Sequence, residues 1–328
     1  MTRRFSIVRL QDRYFRSTFV KSGLRSTVTD LGDGTVMHCW APKVRKESKP
    51  NLLLIHGFGA NGMWQWFALV PRVTSYFNVY VPDLLFFGGS FTTRPERSES
   101  FQAECVMRVM EANSVREMSV VGLSYGGYVA YSMAVQYAEV VKRVVICCSG
   151  VCVEENDFRK AMFKAADLDG AADILLPQTA EKLRELLSFT IYKPPKFMPT
   201  CFLNDFIDVM CRQYAEEKRE LLYALLKDRK ISEIPKITQP TLIIWGDQDQ
   251  VFPLELAHRL KRHLGDTAQL VVIKDAGHSV HVERAKEFYR NLKAFLLNSH
   301  PPPLTHSHSL ASQDNYGNTG SQNSESRT

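Results

Sequence analysis

The chain has 328 residues, 45% of them hydrophobic and 23% charged, a composition typical of a soluble globular protein with one sizeable core. No apolar run approaches the roughly 18 residues that a membrane-spanning helix needs. The net charge of +6 arises within residues 1–26, which hold seven arginines and lysines and one aspartate. The remainder is near neutral and offers no basic face, so nucleic-acid binding is excluded as a function class.

Residues 1–25 form a separate basic segment. The segment lacks the uninterrupted apolar stretch of a secretory signal, although its arginine-rich, acid-poor composition resembles a weak organelle transit peptide. The alternative is a segment that lies across the domain or on a membrane surface, burying some of its apolar side chains: Phe5, Ile7, Val8, Leu10, Phe15, Phe19 and Val20. We favour this alternative and expect a cytoplasmic protein that contacts membranes at most peripherally.

The first elements expected after this segment are a hairpin and a central strand. Residues 31–34 give a turn signal between two strand-like runs. Residues 52–55 are a continuous apolar run, typical of a parallel strand buried on both faces, and they lead directly into His56-Gly57-Phe58-Gly59. A further strand is predicted at 77–81 and a helix at 100–112.

The most specific motif of the chain lies between a strand and a helix. Residues 118–121 predict a buried strand, and apolar residues recur at helical spacing over 128–137. Between them lies the Gly-x-Ser-x-Gly sequence Gly122-Leu123-Ser124-Tyr125-Gly126. A sharp turn here strains the serine backbone, leaves no room for a Cβ at either glycine, and raises the hydroxyl above the sheet at a helix N-terminus. We therefore interpret Ser124 as a nucleophile.

A nucleophilic serine needs a base, an orienting acid and an oxyanion hole. The chain offers candidates in the order serine, acid, histidine, and residues 26–297 thereby resemble the α/β-hydrolase fold. The resemblance implies an α/β fold whose mostly parallel central sheet is flanked by helices. It also implies oxyanion donors, because residues 56–59 match the His-Gly-x-Gly turn of the fold. The backbone amides of Phe58 and Tyr125 are the expected donors, with His56 as a structural residue.

Between about residues 150 and 237 the strand pattern stops, and helical segments are predicted over 179–189, 203–214 and 216–226. In the α/β-hydrolase fold an insertion at this point forms a helical cap. Aromatic and sulfur-containing side chains are singly most often packing residues, but as a group they predict an apolar upper pocket wall: Phe189, Tyr192, Phe197, Met198, Phe202, Phe206 and Met210. The chain then returns to the sheet, with predicted strands at 240–245 and 268–273 and helices at 254–264 and 283–297.

The resemblance also places the acid and the base. In this family the acid lies in the loop after the strand that follows the cap, in a Gly-x-x-Asp-x-x-x-Pro pattern, which selects Asp249 and leaves Asp247 as the alternative. The base is the histidine of a Gly-His pair after the last strand, which selects His278. His281 is the competing histidine, but no glycine precedes it. The implied triad is therefore Ser124, Asp249 and His278.

No metal or cofactor site is predicted. The seven cysteines are odd in number and scattered, with Cys147 and Cys148 adjacent on a predicted strand, and the chain has no Cys-x-x-Cys pair. Such cysteine usage favours a reducing, intracellular compartment. Residues 298–328 are rich in Pro, Ser, Asn and Gln with almost no aliphatic residues, which predicts a disordered polar tail rather than a metal site for its histidines.

The chain as a whole is similar to plant α/β-hydrolases that are compared with monoacylglycerol lipases and with hydrolases of meta-cleavage products. The similarity rests on Asp-Leu-Gly-Asp-Gly-Thr at 30–35, Tyr-Val-Pro-Asp-Leu at 80–84 and Arg-Pro-Glu-Arg-Ser at 94–98. It implies that the protein hydrolyses a small ester or lipid with an apolar acyl group through an acyl-enzyme. A serine at position 124, rather than aspartate, argues against epoxide hydrolases and haloalkane dehalogenases. Two alternatives stay open: carbon–carbon bond hydrolysis of a diketone, and a non-enzymatic small-molecule receptor.

Overall fold

The computed structural model describes residues 6–154, 157, 168–226 and 229–298. The strands of these residues form a single sheet: β1 (Leu24–Asp30), β2 (Thr35–Pro42), β3 (Asn51–Ile55), β4 (Asn78–Pro82), β5 (Phe91–Thr92), β6 (Met118–Leu123), β7 (Val141–Cys147), β8 (Thr241–Gly246) and β9 (Ala268–Ile273). Their order is β1-β2-β4-β3-β6-β7-β8-β9, and β5 pairs with β2. The pairs from β4 to β9 are parallel, and the pairs that involve β2 are antiparallel.

Helices precede, connect and flank these strands: α1 (Ile7–Lys21), α2 (Gly62–Trp66), α3 (Val70–Val73), α4 (Glu99–Ala112), α5 (Tyr125–Gln136), α6 (Leu168–Leu175), α7 (Ala180–Thr190), α8 (Thr200–Phe206), α9 (Ala215–Leu226), α10 (Leu254–Leu264), α11 (Val280–Glu283) and α12 (Ala285–Leu297). Helix α5 packs on β6 and β7, while α10 packs on β8 and β9. The predicted helix over 283–297 begins only at Ala285, because Arg284 leaves the helical region with φ −124° and separates α11 from α12.

The core lies along the middle of the sheet. Strands β3, β4 and β8 are buried at every position, as expected for continuous apolar runs that are covered on both faces. Helix α5 is buried along most of its length as well. The predicted α/β architecture, a mostly parallel sheet flanked by helices, is confirmed.

Residues 7–21 of the basic N-terminal segment form α1, which lies across the folded domain. Its buried side chains are Val8, Phe15 and Phe19, and the Phe15 ring stacks on Phe67 at 4.1 Å between centroids. The Val8 amide donates to the Asp205 carboxylate of α8 at 2.9 Å, so α1 contacts both the sheet domain and the inserted helices. In the described part of the chain, no helix combines the length and apolarity needed to cross a membrane.

Helices α6 to α9 lie between β7 and β8, where the sequence predicts a cap. Two ion pairs join this insertion to the region around α4: Arg97 with Glu220 at 2.6 Å and Arg229 with Glu99 at 2.7 Å. The α-helix predicted over 203–214 is not continuous in the structure. Helix α8 ends at Phe206, and a π-helical turn follows over Ile207–Cys211. Of the disordered tail predicted over 298–328, residues 299–328 lie outside the described residues.

Candidate active site

Ser124 occupies the junction between β6 and α5 with φ 53° and ψ −121°. A positive φ is strained for a residue with a side chain, and it persists only where the surrounding structure imposes it. Here the Ser124 amide donates to the carbonyl of Cys147 on the neighbouring strand at 2.8 Å. The turn therefore has the geometry of the predicted nucleophile elbow.

The two glycines of the motif are required by close backbone contacts. A Cβ at Gly122 would lie 2.2 Å from the carbonyl oxygen of Gly126. A Cβ at Gly126 would lie 2.4 Å from the carbonyl oxygen of His56. Both distances are shorter than any side chain tolerates, so the elbow packs against its own helix and against the end of β3 only when both residues are glycine.

Asp249, rather than Asp247, contacts the candidate base. His278 Nδ1 lies 2.9 Å from Asp249 Oδ2, and the other carboxylate oxygen accepts the amides of Val251 and Phe252 at 2.8 and 2.9 Å. In a hydrogen bond with a carboxylate oxygen the imidazole nitrogen is the donor, so this contact favours the tautomer with the proton on Nδ1. Asp247 instead accepts the Ala276 amide at 3.4 Å.

The loop that carries His278 is held by Glu283, a residue without a role in the sequence analysis. Glu283 Oε1 accepts the Gly277 amide at 2.9 Å, and Oε2 accepts the Tyr192 amide at 2.9 Å. Glu283 therefore connects the loop of the candidate base to the inserted helices. No short-range pattern reveals it, because Tyr192 lies 91 residues away in the chain.

The competing histidine, His281, has a different environment. Its ring lies 5.7 Å from that of Trp66. Burial, and secondly the charge of nearby His278, lower the pKa of His281 to about 3. It is therefore neutral at physiological pH, and no hydrogen bond to a carboxylate fixes its tautomer in the described structure.

The turn after β3 is fixed by Gln65, a second residue that the sequence analysis missed. The Gly57 amide donates to Gln65 Oε1 at 2.7 Å, and Gln65 Nε2 donates to the Phe58 carbonyl at 3.3 Å. The Phe58 ring meets the Tyr125 ring edge-on at 4.8 Å. These contacts hold the two residues of the predicted oxyanion hole beside each other.

His56 is part of the scaffold under this turn. The Leu84 amide donates to its Nε2 at 2.9 Å, and its Nδ1 donates to the Gly57 carbonyl at 2.8 Å. Burial lowers the pKa of His56. With both ring nitrogens occupied and no exposure, it has no lone pair left for a substrate.

A cavity of about 150 Å³ lies beside Ser124. On the sheet side it is lined by Phe58, Ser124 and His278, so three of the predicted site residues face the same space, and the competing histidine His281 lines it as well. The inserted helices close it from the other side with Leu175, Leu183, Leu186, Leu187, Thr190 and Phe206. A larger cavity of about 390 Å³, between α4, α5 and the segment after α9, contains none of the predicted site residues.

The cavity beside Ser124 has an apolar upper wall, as expected, but the residues that form this wall differ from those predicted. Of the aromatic and sulfur-containing group, Phe206 lines the cavity. Phe197 is 81% exposed, and Phe189, Met198, Phe202 and Met210 pack against the core. The wall consists mainly of leucines on α7, because residue content does not determine which face of a helix meets the pocket.

Known proteins resemble this chain over most of its length. "Lipase 1" of Psychrobacter immobilis is 29% identical over 252 residues, covering 74% of this chain and 76% of its own. A monoacylglycerol lipase of Rattus norvegicus is 26% identical over 275 residues, covering 80% of each chain. The crystal structure of a putative lipase from Acinetobacter baumannii is 28% identical with a TM-score of 0.75, covering 87% of this chain and 95% of its own. The model of the alpha/beta hydrolase family matches residues 52–291, and the chain belongs to that family.

Proposed function

We propose that this ester hydrolase of the alpha/beta hydrolase family uses Ser124, His278 and Asp249 as a catalytic triad on carboxylic esters with an apolar acyl group. The observation that carries the proposal is the 2.9 Å contact between His278 and a buried Asp249, at a cavity that Ser124 also lines. Together they supply a nucleophile, a base and an orienting acid in one place.

In the proposed reaction, His278 Nε2 takes the proton of Ser124 as the hydroxyl oxygen attacks the ester carbonyl. The amides of Phe58 and Tyr125 donate to the oxyanion of the tetrahedral intermediate. His278 then gives the proton to the departing alcohol and leaves an acyl-enzyme. Water, deprotonated by the same imidazole, attacks the acyl-enzyme and releases the acid, which restores the Ser124 hydroxyl.

The acyl group is proposed to occupy the leucine-lined cavity, with the inserted helices acting as its cap. Leucine side chains offer no hydrogen bond, so the wall favours hydrocarbon over polar groups. The lipase names of two relatives support a lipid or ester substrate. The cytoplasm remains the proposed location, and the seven unpaired cysteines, six of them buried, fit a reducing compartment.

Peripheral membrane contact through α1 is part of the same proposal. Ile7, Leu10 and Tyr14 are 44%, 55% and 63% exposed, and their spacing places them along one side of the helix. Arg9 and Arg13 are also exposed on α1. An apolar row with neighbouring guanidinium groups is suited to the surface of an anionic bilayer, where lipid esters reside.

A fluorophosphonate probe tests the nucleophile. The wild-type protein should be labelled covalently, and Ser124→Ala should lose labelling while its turnover falls by ~10³-fold or more. Ser132→Ala, on the same helix but outside the cavity, is the matched control and should label normally. Undiminished labelling of Ser124→Ala would assign the nucleophile elsewhere. A wild-type protein that resists labelling would favour the receptor alternative.

A further inference from the structure

A cysteine thiol lies beside the acid and the base of the site. Cys148 follows directly after β7, is completely buried, and has φ 44°. Strands β7 and β8 are parallel neighbours, so their carboxyl ends bring Cys148 and the Asp249 loop to the same edge of the sheet. Ligand atoms of Cys148, Asp249 and His278 all lie within 4.8 Å of one another.

The proposed hydrolysis uses two of these three groups and gives the thiol no role. A thiolate, an imidazole nitrogen and a carboxylate oxygen together are a donor set that suits Zn²⁺ and Cd²⁺, whereas Mg²⁺ and Ca²⁺ prefer oxygen ligands. We propose that Cys148, Asp249 and His278 bind a thiophilic divalent cation, and that occupation of this site switches the hydrolase off. The inhibitory part rests on the proposed role of His278.

The required movement is small. Ligand atoms of a tetrahedral zinc ion lie about 3.3–3.8 Å apart, given bond lengths of about 2.0–2.3 Å. The 2.9 Å pair of His278 and Asp249 must open by a few tenths of an ångström, and the thiol must approach by about 1.5 Å at most.

Metal binding would disable the base through its tautomer. A cation can bind His278 Nδ1 only through a lone pair on that nitrogen. The imidazole proton therefore moves from Nδ1 to Nε2, and the ring stays neutral. The Cys148 thiol loses its proton to solvent on coordination. Nε2–H can no longer accept the proton of Ser124. An imidazole in the wrong tautomer costs on the order of 10⁴-fold in turnover, so inhibition should follow metal occupancy and act on kcat.

Cadmium binding tests the site without reference to activity. Titration of the full chain with Cd²⁺ should produce cadmium–thiolate absorption in the ultraviolet that saturates at one ion per chain. Cys148→Ala should abolish this absorption, and Asp249→Asn should weaken binding at least tenfold. Cys147→Ala is the matched control, since it removes an equally buried neighbouring thiol and should leave the absorption intact. Absorption that persists in Cys148→Ala, or that depends on the exposed Cys201, would overturn the proposal.

Inhibition is the second measurement, with each variant compared to its own metal-free rate. Zn²⁺ and Cd²⁺ should suppress ester turnover of wild type and Cys147→Ala, Mg²⁺ should not, and a chelator should restore activity. Inhibition of Cys148→Ala should require a metal concentration at least tenfold higher than inhibition of the wild type. Equal sensitivity of Cys148→Ala would refute the inhibitory role. Should the chain prove not to be a hydrolase, the cadmium titration alone would still support or overturn the metal site.

Discussion

The volume of the cavity beside Ser124 predicts how turnover depends on acyl length. A dry apolar cavity of about 150 Å³ accommodates a benzene-sized molecule, so the volume of about 150 Å³ found here suits an acyl chain of about six carbons. Each buried methylene contributes ~0.8 kcal/mol. The four methylenes that distinguish hexanoate from acetate therefore contribute about 3 kcal/mol, an upper limit of roughly 2 × 10²-fold in kcat/KM.

The assay is kcat/KM for p-nitrophenyl esters from acetate to laurate. We expect a steep rise to about hexanoate and a plateau or decline thereafter. Leu187→Trp fills space at a half-buried wall position and should move the plateau to shorter chains. Phe197→Ala is the control, because this exposed aromatic side chain does not line the cavity and its loss should leave the profile unchanged.

Two results would refute this reasoning. A flat profile from acetate upward would mean that the leucine wall does not bind the acyl group. A profile that Phe197→Ala shifts as much as Leu187→Trp would show that the exposed aromatic residue, rather than the cavity, governs chain length. Thermal unfolding of each variant separates these outcomes from loss of fold, since a larger residue in a packed wall costs about 1–3 kcal/mol.

Three further predictions follow from individual contacts. Asp249→Asn should reduce turnover by on the order of 10⁴-fold and Asp247→Asn by far less, and the reverse order in steady-state kinetics would exchange their roles. Leu10→Asp should lower activity on ester substrates in anionic vesicles at low salt and leave activity on a soluble ester unchanged. The control, Val135→Asp on α5, should leave both activities unchanged. An equal loss of both activities in Leu10→Asp would contradict membrane contact by α1. The pKa of His281 is lowered to about 3, so its imidazole stays neutral above that pH. His281→Phe should therefore leave the shape of the pH dependence of kcat/KM unchanged between about pH 5 and 9.

The elbow was predictable because its determinants are contiguous in sequence. A buried strand, two glycines around Ser124 and an apolar helix occupy one short stretch, and the structure shows the close contacts that require each glycine. Asp249 and His278 were selected by resemblance, and each lies in the loop that follows a strand of the sheet. Parallel strands place their carboxyl ends at one edge, so residues 29 positions apart meet there.

The supporting residues were not predictable for a related reason. Gln65 acts through a side chain that reaches back to Gly57 and Phe58, and this contact leaves no periodic or spaced signal. The Cys148 thiol comes close to Asp249 and His278 from a neighbouring strand, and this proximity leaves no such signal either. The aromatic content of the inserted segment was visible in the sequence, but a helix turns about 100° per residue. A small change in helix orientation therefore exchanges the residues that face the pocket, which is why leucines of α7 form the wall instead.

The carboxylate of Glu283 holds both the loop of the proposed base, His278, and the inserted helices, and a kinetic prediction follows from this. One oxygen accepts the Gly277 amide beside His278 and the other accepts the Tyr192 amide after α7. In Glu283→Gln one of these positions becomes an NH₂ donor, so at least one amide loses its acceptor, at a cost of about 1.5–3 kcal/mol for a charged partner. If the contact positions His278, kcat should fall by roughly ten- to a hundredfold for short and long esters alike. Glu287→Gln is the control, at a partly exposed position of α12 where the carboxylate pairs with Arg290. A lower melting temperature of Glu283→Gln with unchanged kcat would reduce Glu283 to a purely structural residue.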